Sequence, residues 1–331
     1  MEISEKLKND KIDSKGIAKL GLSKDIPVSQ FPAKLVLELR SLTRKYYDLT
    51  DERSAHINKL KGDLHTVFPQ YLDVFCDVTG KTSTMILRQY GTPDKILRGH
   101  KKTMIEKISK ASRKGLAKAS ERYEKLCAAA NAAKTFGCQI DSIYFNIFLT
   151  LDLVEKLDSA LDSILNRIRQ LITFNKNEKF IQQIKLLNTI PGVGFLTAVT
   201  IMCEIGDFSA FRNPKQLFAY FGLDPEVNES GKFVGTQLHM SKRGSRIARR
   251  AIFAVALASI RTKRNGEGIN PYLRKYYELK SGQKPKMVAI GAVMHKVCNI
   301  VFAVLRDEKA FELRSPEEHC KQYQRPALAA A

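Results

Sequence analysis

Apolar residues recur every three or four positions along two long stretches of this chain. In "AKLVLELRSLTRKYYDLTDERSAHINKLKGDLHTVF" (33–68) the stripe is Leu35, Leu39, Leu42, Tyr46 and Leu49. In "IDSIYFNIFLTLDLVEKLDSALDSILNRIRQLITF" (140–174) it is Leu149, Leu153, Leu157, Leu161, Ile164 and Ile168. Each spacing predicts an amphipathic helix of about ten turns with a polar opposite face. Two such helices predict a helical hairpin or coiled coil, whose plainest role is spacer and oligomerisation element.

Further along, the pattern changes. "LLNTIPGVGFLTAVTIMCEI" (186–205) reads as a helix, a tight Pro191-Gly192-Val193-Gly194 turn and a second, apolar helix. Asn228-Glu229-Ser230-Gly231 reads as a turn. After it Val234, Thr236, Leu238 and Met240 alternate with Phe233, Gly235, Gln237 and His239, as in a short strand. "MVAIGAVMHKVCNIVFAVL" (287–305) approaches membrane-spanning length, but His295 and Lys296 stand in its middle. A charge there is expensive in lipid, so a buried core helix is expected and no membrane partner. The pattern divides the chain into a short N-terminal segment (1–30), a helical region (31–178), a C-terminal domain (179–310) and a frayed tail (311–331). The expected fold class is mainly α.

Composition sharpens this. Fifty-five Lys and Arg against 34 acidic residues give a formal charge of +21 over 331 residues, which points to a polyanion, most commonly nucleic acid. The 44% hydrophobic content supports a real core. Cys76, Cys127, Cys138, Cys203, Cys298 and Cys320 show no CxxC pairing, so no zinc module is expected and a reducing cytoplasm fits. Cys76, Cys203 and Cys298 lie in apolar runs and read as small buried hydrophobes. The charged N-terminus gives no expectation of a signal peptide.

The motifs that bear on chemistry are spread along the chain. Gly80-Lys81-Thr82 lacks the earlier glycine of a phosphate-binding loop, position 75 being Phe75, so nucleotide binding is rejected there. At Gly192 and Gly194 the bare backbone and following helix start could grip a sugar-phosphate backbone in a helix-hairpin-helix, or could simply punctuate a helical turn. In "HMSKRGSRIARRAIFAVALASIRTKR" (239–264), Ser245 is a candidate N-cap followed by Arg246, Arg249 and Arg250. Cations there oppose the helix dipole, and a docked phosphate would relieve the conflict. From Lys232 to Lys286 fourteen Lys or Arg face only Glu267 and Glu278, an imbalance that favours nucleic-acid contact, with Lys242 and Arg243 included. The segment "RGHKKTMIEKISKASRKGLAKASERYEK" (98–125) is also basic, and is expected to be helical and to face phosphate or solvent. Asp10 and Asp13 share one helix face, which is tolerable at a solvated surface or around a cation.

The order "IPGVGFLTA…FRNPKQLFAYFGLDP…ESG…SKRGSR..RRA", with "NDKIDSKGIAKL" near the start, resembles the DEDD-type insertion-sequence transposases of the IS110/IS116/IS902 group. The resemblance implies a RuvC-like (RNase H-like) domain whose four acidic residues bind a divalent metal, expected to be Mg2+. Asp10 and Asp13 match the last two, which makes them candidate metal-binding and catalytic residues. It also implies that Ser230, matching the serine of the E-S-G turn, attacks DNA to give a covalent phosphoserine. A structured guide RNA, a homo-oligomer and a cytoplasmic, nucleoid-associated setting in a bacterium or archaeon are implied as well. Only nine residues precede Asp10, so the other two acidic residues are expected to be missing, and a truncated copy or misplaced start with doubtful activity is expected. Two non-catalytic readings stand beside it: a nucleic-acid scaffold using the hairpin and basic helix, and a structural RNA-binding protein.

Overall fold

The computed structural model describes residues 32–225 and 240–315, the backbone of 229–230 and 233–234, and isolated positions within 14–22 and at 318. Among these residues the chain is mainly helical. The first long stripe becomes α1 (Lys34–Val67), about 51 Å long at 1.5 Å per residue. Pro69 follows its end, where it disfavours helical backbone in the residue before it. Five helices follow: α2 (Tyr71–Val74), α3 (Lys81–Gln89), α4 (Pro93–Arg98), α5 (Lys101–Ser112) and α6 (Leu116–Phe136). The second stripe becomes α7 (Asp141–Phe174), as long as α1 and packed along it. The two run antiparallel, since Leu39 shares a core with Ile168, Leu171 and Ile172, while Leu60 and Leu64 share another with Tyr144, Ile147 and Leu151.

The stripe proposed for α7 needs correction. Leu161 and Ile168 are buried, but Leu149 and Leu153 are 46% and 44% exposed. The buried line runs instead through Tyr144, Ile147, Leu151 and Val154. This helix carries two apolar stripes in its first half, and α1 covers one of them. Phe145, Leu149 and Leu153 form the other and face outward.

The α1–α7 pair joins two separate cores. At one end Phe68, Tyr71, Phe75, Ile86, Ile96, Met104, Ile108 and Leu126 gather from α2 to α6. Cys76 sits at its edge and is exposed, not buried as its apolar surroundings suggested, while Cys203 and Cys298 are buried. Gly80 opens α3 as its N-cap, with the Asp77 carboxylate beside it, a charge that repels phosphate. The other core gathers α8 (Lys179–Leu187), α9 (Phe195–Ile205), α10 (Pro214–Tyr220), α11 (Arg246–Ser259), α12 (Pro271–Ser281) and α13 (Lys286–Asp307) around the near ends of α1 and α7. Asn213 caps α10, and Asn270 caps α12 by accepting from Leu273 N. The apolar run 287–305 lies in α13, whose Ala289, Val293, Val297 and Val301 are buried in this core. Lys296 reaches out over Tyr276, and His295 meets Phe218 edge-on.

Pairing begins earlier than the expected strand, and residues 235–239 of that strand lie outside the described residues. β1 (Glu229–Ser230) pairs antiparallel with β2 (Phe233–Val234), placing Ser230 opposite Phe233. Ser230 therefore stands on a strand and not in the turn. A single bridge, Pro225 to Met240, marks the hairpin's root. Phe311, at the start of the expected frayed tail, is tied down: its N–H donates to Thr189 Oγ1 at 2.8 Å. Most of the tail beyond 315 lies outside the described residues.

Candidate nucleic-acid interface

The Pro191–Gly194 turn joins α8 to α9, and its two glycines do different work. Gly192 has φ +98°, and a Cβ there would lie 2.9 Å from the Ser259 backbone nitrogen. Ser259 Oγ donates to Pro191 O at 3.0 Å. Gly192 is thus demanded by packing on the end of α11. Gly194 is exposed, has open space where a Cβ would go, and precedes α9 without a side-chain cap. The first N–H groups of α9 are therefore open to a partner.

The basic helix sorts its arginines in the same way. Ser245 caps α11 as expected, its hydroxyl accepting from Ala248 N at 3.1 Å. Arg249 turns inward: Nη1 donates to the carbonyls of Phe221, Lys242 and Gly244 at 3.2, 3.1 and 2.7 Å. Through this nitrogen it clamps two loop segments, a structural task that the sequence did not foretell. Arg250 lies 2.7 Å from Asp51 Oδ1 on α1 and 4.8 Å over the Tyr47 ring. Arg246 is 3.7 Å from the same carboxylate and its side chain is 75% exposed. The dipole conflict read from the sequence is thus partly relieved inside the fold. Lys242, Arg243 and Arg246 remain facing outward. Lys242 holds φ +54° while its N–H donates to Gly222 O, where Gly222 and Gly244 let two backbone segments cross closely.

Beside this loop opens a recess of about 480 Å³, lined mainly by Arg40, Arg44, Glu204, Tyr220, Arg243 and Ser245. Arg44 forks onto the buried Glu204, with Nε to Oε1 at 2.8 Å and Nη2 to Oε2 at 2.9 Å. Burial pushes the Glu204 carboxyl up. Hydrogen bonds from Arg44 and Ser245, and the charges of Arg44 and Arg40, outweigh it and hold the group below its ordinary value. Arg40 Nε donates to Cys203 O at 2.7 Å, and Tyr220 Oη donates to Glu204 O at 3.0 Å. Three guanidinium groups against one carboxylate leave the recess an excess of positive charge beside the start of α11.

Arg40, Arg44 and Glu204 escaped the sequence reading. A usable signal was present: Glu204 is the lone charge in "FLTAVTIMCEI", and a buried acid needs a cation. Arg243 of the recess follows the Ser230 hairpin's root by three residues in the chain. Ser241 binds Asp224 through both its N–H, at 2.8 Å to the carbonyl, and its hydroxyl, at 2.6 Å to the carboxylate. That tie fixes the hairpin to the strand of chain presenting Lys242 and Arg243. Asp10 and Asp13 lie outside the described residues. Among the described residues, no three His, Cys, Asp or Glu side chains gather where they could hold a metal ion.

Comparison with known proteins accounts for this arrangement. Residues 184–278 match the family model described as "Transposase IS116/IS110/IS902 family", and residues 1–69 match the DEDD-type IS110 transposase model. The chain is 23% identical over 286 residues to an IS110 insertion-element protein of Streptomyces coelicolor, covering 86% of this chain and 66% of that one. It is 24% identical over 311 residues to an IS116 insertion-element protein of Streptomyces clavuligerus, covering 93% and 74%. A pilin gene-inverting protein of Moraxella bovis is 30% identical over 177 residues, 53% of this chain and 52% of that protein. The chain thus spans between about half and three quarters of these relatives. The outward cations, the serine hairpin and both matched segments agree: two parts of the chain are similar to transposases of the IS116/IS110/IS902 family.

Proposed function

We propose that this protein is a DNA recombinase of an insertion sequence, cleaving and exchanging strands through Ser230. The observation that carries the reading is the family match over 184–278, which includes the Ser230 hairpin and the outward Lys242, Arg243 and Arg246 beside it. In this reading the recess and the loop hold DNA phosphate, joined by the α8–α9 turn at Gly194 acting as a helix-hairpin-helix. Attack of the Ser230 hydroxyl on a phosphodiester forms the Oγ–P bond as one P–O bond to deoxyribose breaks. The serine gives up its proton and the departing sugar oxygen takes one up, so one ester replaces another and the step is reversible. Arg243, close to the hairpin's root, offers charge to the phosphate.

The remaining family features belong to the same proposal. Asp10 and Asp13 would hold a divalent metal, Mg2+, which supplies further charge neutralisation when bound. The segments 1–30, 31–178 and 179–310 would serve as RuvC-like remnant, helical spacer and transposase domain. A structured guide RNA would choose the DNA, and the outward Phe145, Leu149 and Leu153 stripe would join copies of the chain as a coiled coil.

The test uses labelled DNA with Mg2+ and guide RNA supplied. Denaturing gels should show a protein–DNA adduct that Ser230→Ala removes while gel-shift binding persists. An adduct that survives Ser230→Ala would name a different nucleophile. Binding without any adduct would favour the non-catalytic scaffold.

A further inference from the structure

We propose that the tip of the α5–α6 hairpin is a second binding site for double-helical DNA, independent of the transposase face. Arg113, in left-handed conformation at φ +53°, turns α5 into α6. Around that turn Lys107, Lys110, Arg113, Lys114 and Lys118 are all exposed. None of Lys110, Arg113, Lys114 and Lys118 makes an ion pair among the described residues. The turn's own backbone is secured, since Ser109 Oγ donates to Lys114 O at 2.8 Å and Lys114 N donates to Ser112 Oγ. The cations therefore stand on a fixed platform.

The cations of the tip outnumber the acids around them, Asp73, Glu106 and Glu121. Lys114, Lys118, Arg122 and Lys125 line a shallow recess of about 230 Å³ together with Asp73 and Glu121. Glu121 is engaged by Lys125 at 2.8 Å, and the hydrogen bond and charge of Lys125, with Arg122 and Lys118 adding, hold its carboxyl below the usual range. Arg122 is partly spent over the Phe75 ring. The first turn of α6 carries Lys118 and no acid, the same opposition to the helix dipole found at α11. A surface that gathers unpaired cations on a rigid turn fits a row of phosphates.

Distance makes the site separate. Arg44, in the first recess, and Val67, at the end of α1, are 23 residues apart, about 35 Å along the helix. The tip lies against Asp73 and Val74, which follow that end in the chain. A duplex of 10 base pairs is itself about 34 Å long, so one short duplex does not fill both sites. This segment also lies between the two stretches matched by family models, so the match at 184–278 says nothing about it. The choice of DNA as ligand rests on the transposase reading, whereas the site itself rests on the geometry of the tip.

Titration with a labelled 10-base-pair DNA duplex, at low salt, reads the number bound per chain. The wild type should bind two. Lys110→Glu, Arg113→Glu, Lys114→Glu and Lys118→Glu together should leave one, as should Arg243→Glu with Arg246→Glu. On a 30-base-pair duplex the tip variant should lower the slope of log affinity against log salt by about 3.6, given four cations at about 0.9 per phosphate released. Circular dichroism checks folding, and the four glutamine substitutions replace the glutamates if helix content falls. Unchanged stoichiometry and slope in a folded tip variant would overturn the site. A tip-dependent increment on duplex RNA and none on DNA would overturn the choice of ligand. Loss of binding at Arg243 and Arg246 bears on the transposase reading alone, because the tip's contribution is scored separately.

Discussion

Glu204 shows how much one side chain settles in this protein. It is 3% exposed on an otherwise apolar helix, and Arg44 reaches it from α1 in a two-pronged contact. The carboxyl is held below its ordinary 4.5, so the unfolded chain takes up its proton first as pH falls. Stability from the pair is complete above about pH 4.5 and is lost as pH drops through the folded value. Removing one partner of a buried pair costs about 3–5 kcal/mol, and the 52% exposure of Arg44 reduces that to about 2 kcal/mol here. Glu204→Gln should therefore lower stability by about 2 kcal/mol at pH 7 and flatten the acid limb of a melting-temperature profile. A variant with the parent's Tm and acid limb would show that the pair contributes nothing. The two turn glycines mark where sequence reading stops at this scale. Both are glycine in a PGVG turn, yet only the fold reveals that one faces Ser259 and the other faces solvent.

At the scale of elements, periodicity succeeded where one face alone was apolar. The stripe in α1 runs true, with Leu39 fully buried and Leu49 nearly so. In the first half of α7 it chose the outer of two stripes, because spacing reports which residues share a face and not which face meets a neighbour. Arginines posed the same difficulty: composition marked 232–286 as basic, but Arg249 is used by carbonyls and Arg250 by Asp51 and Tyr47. The serine hairpin was legible as to place, though Ser230 was read as a turn residue and stands on a strand. The leftover stripe on α7 makes its own prediction. Leu149→Glu with Leu153→Glu should lower the oligomeric state in sedimentation velocity while helix content holds, since both positions are exposed in the single chain. Unchanged sedimentation would remove that face as the joining surface.

Among the described residues two cores are strung on one pair of antiparallel helices, and the way the far core is attached has a consequence for how the chain could have been assembled. The end of α1 and the approach to α7 already touch: Cys138 N donates to Thr66 O at 3.2 Å, and Tyr144 Oη donates to Val67 O at 3.4 Å. Everything between them leaves and returns at one point, as a graft enters a branch. Excision of residues 68–138, replaced by a short glycine-containing turn, should give a smaller protein that melts cooperatively and keeps the Arg44–Glu204 recess. The opposite cut, at 178, should not be tolerated, because it takes Leu39, Leu171 and Ile172 out of the near core and strips Glu204 of its cation. Limited proteolysis and calorimetry of the two products would measure this asymmetry. A chain built this way can exchange or discard its distal unit by insertion and deletion at one junction, while the helices that carry it stay committed to the transposase end.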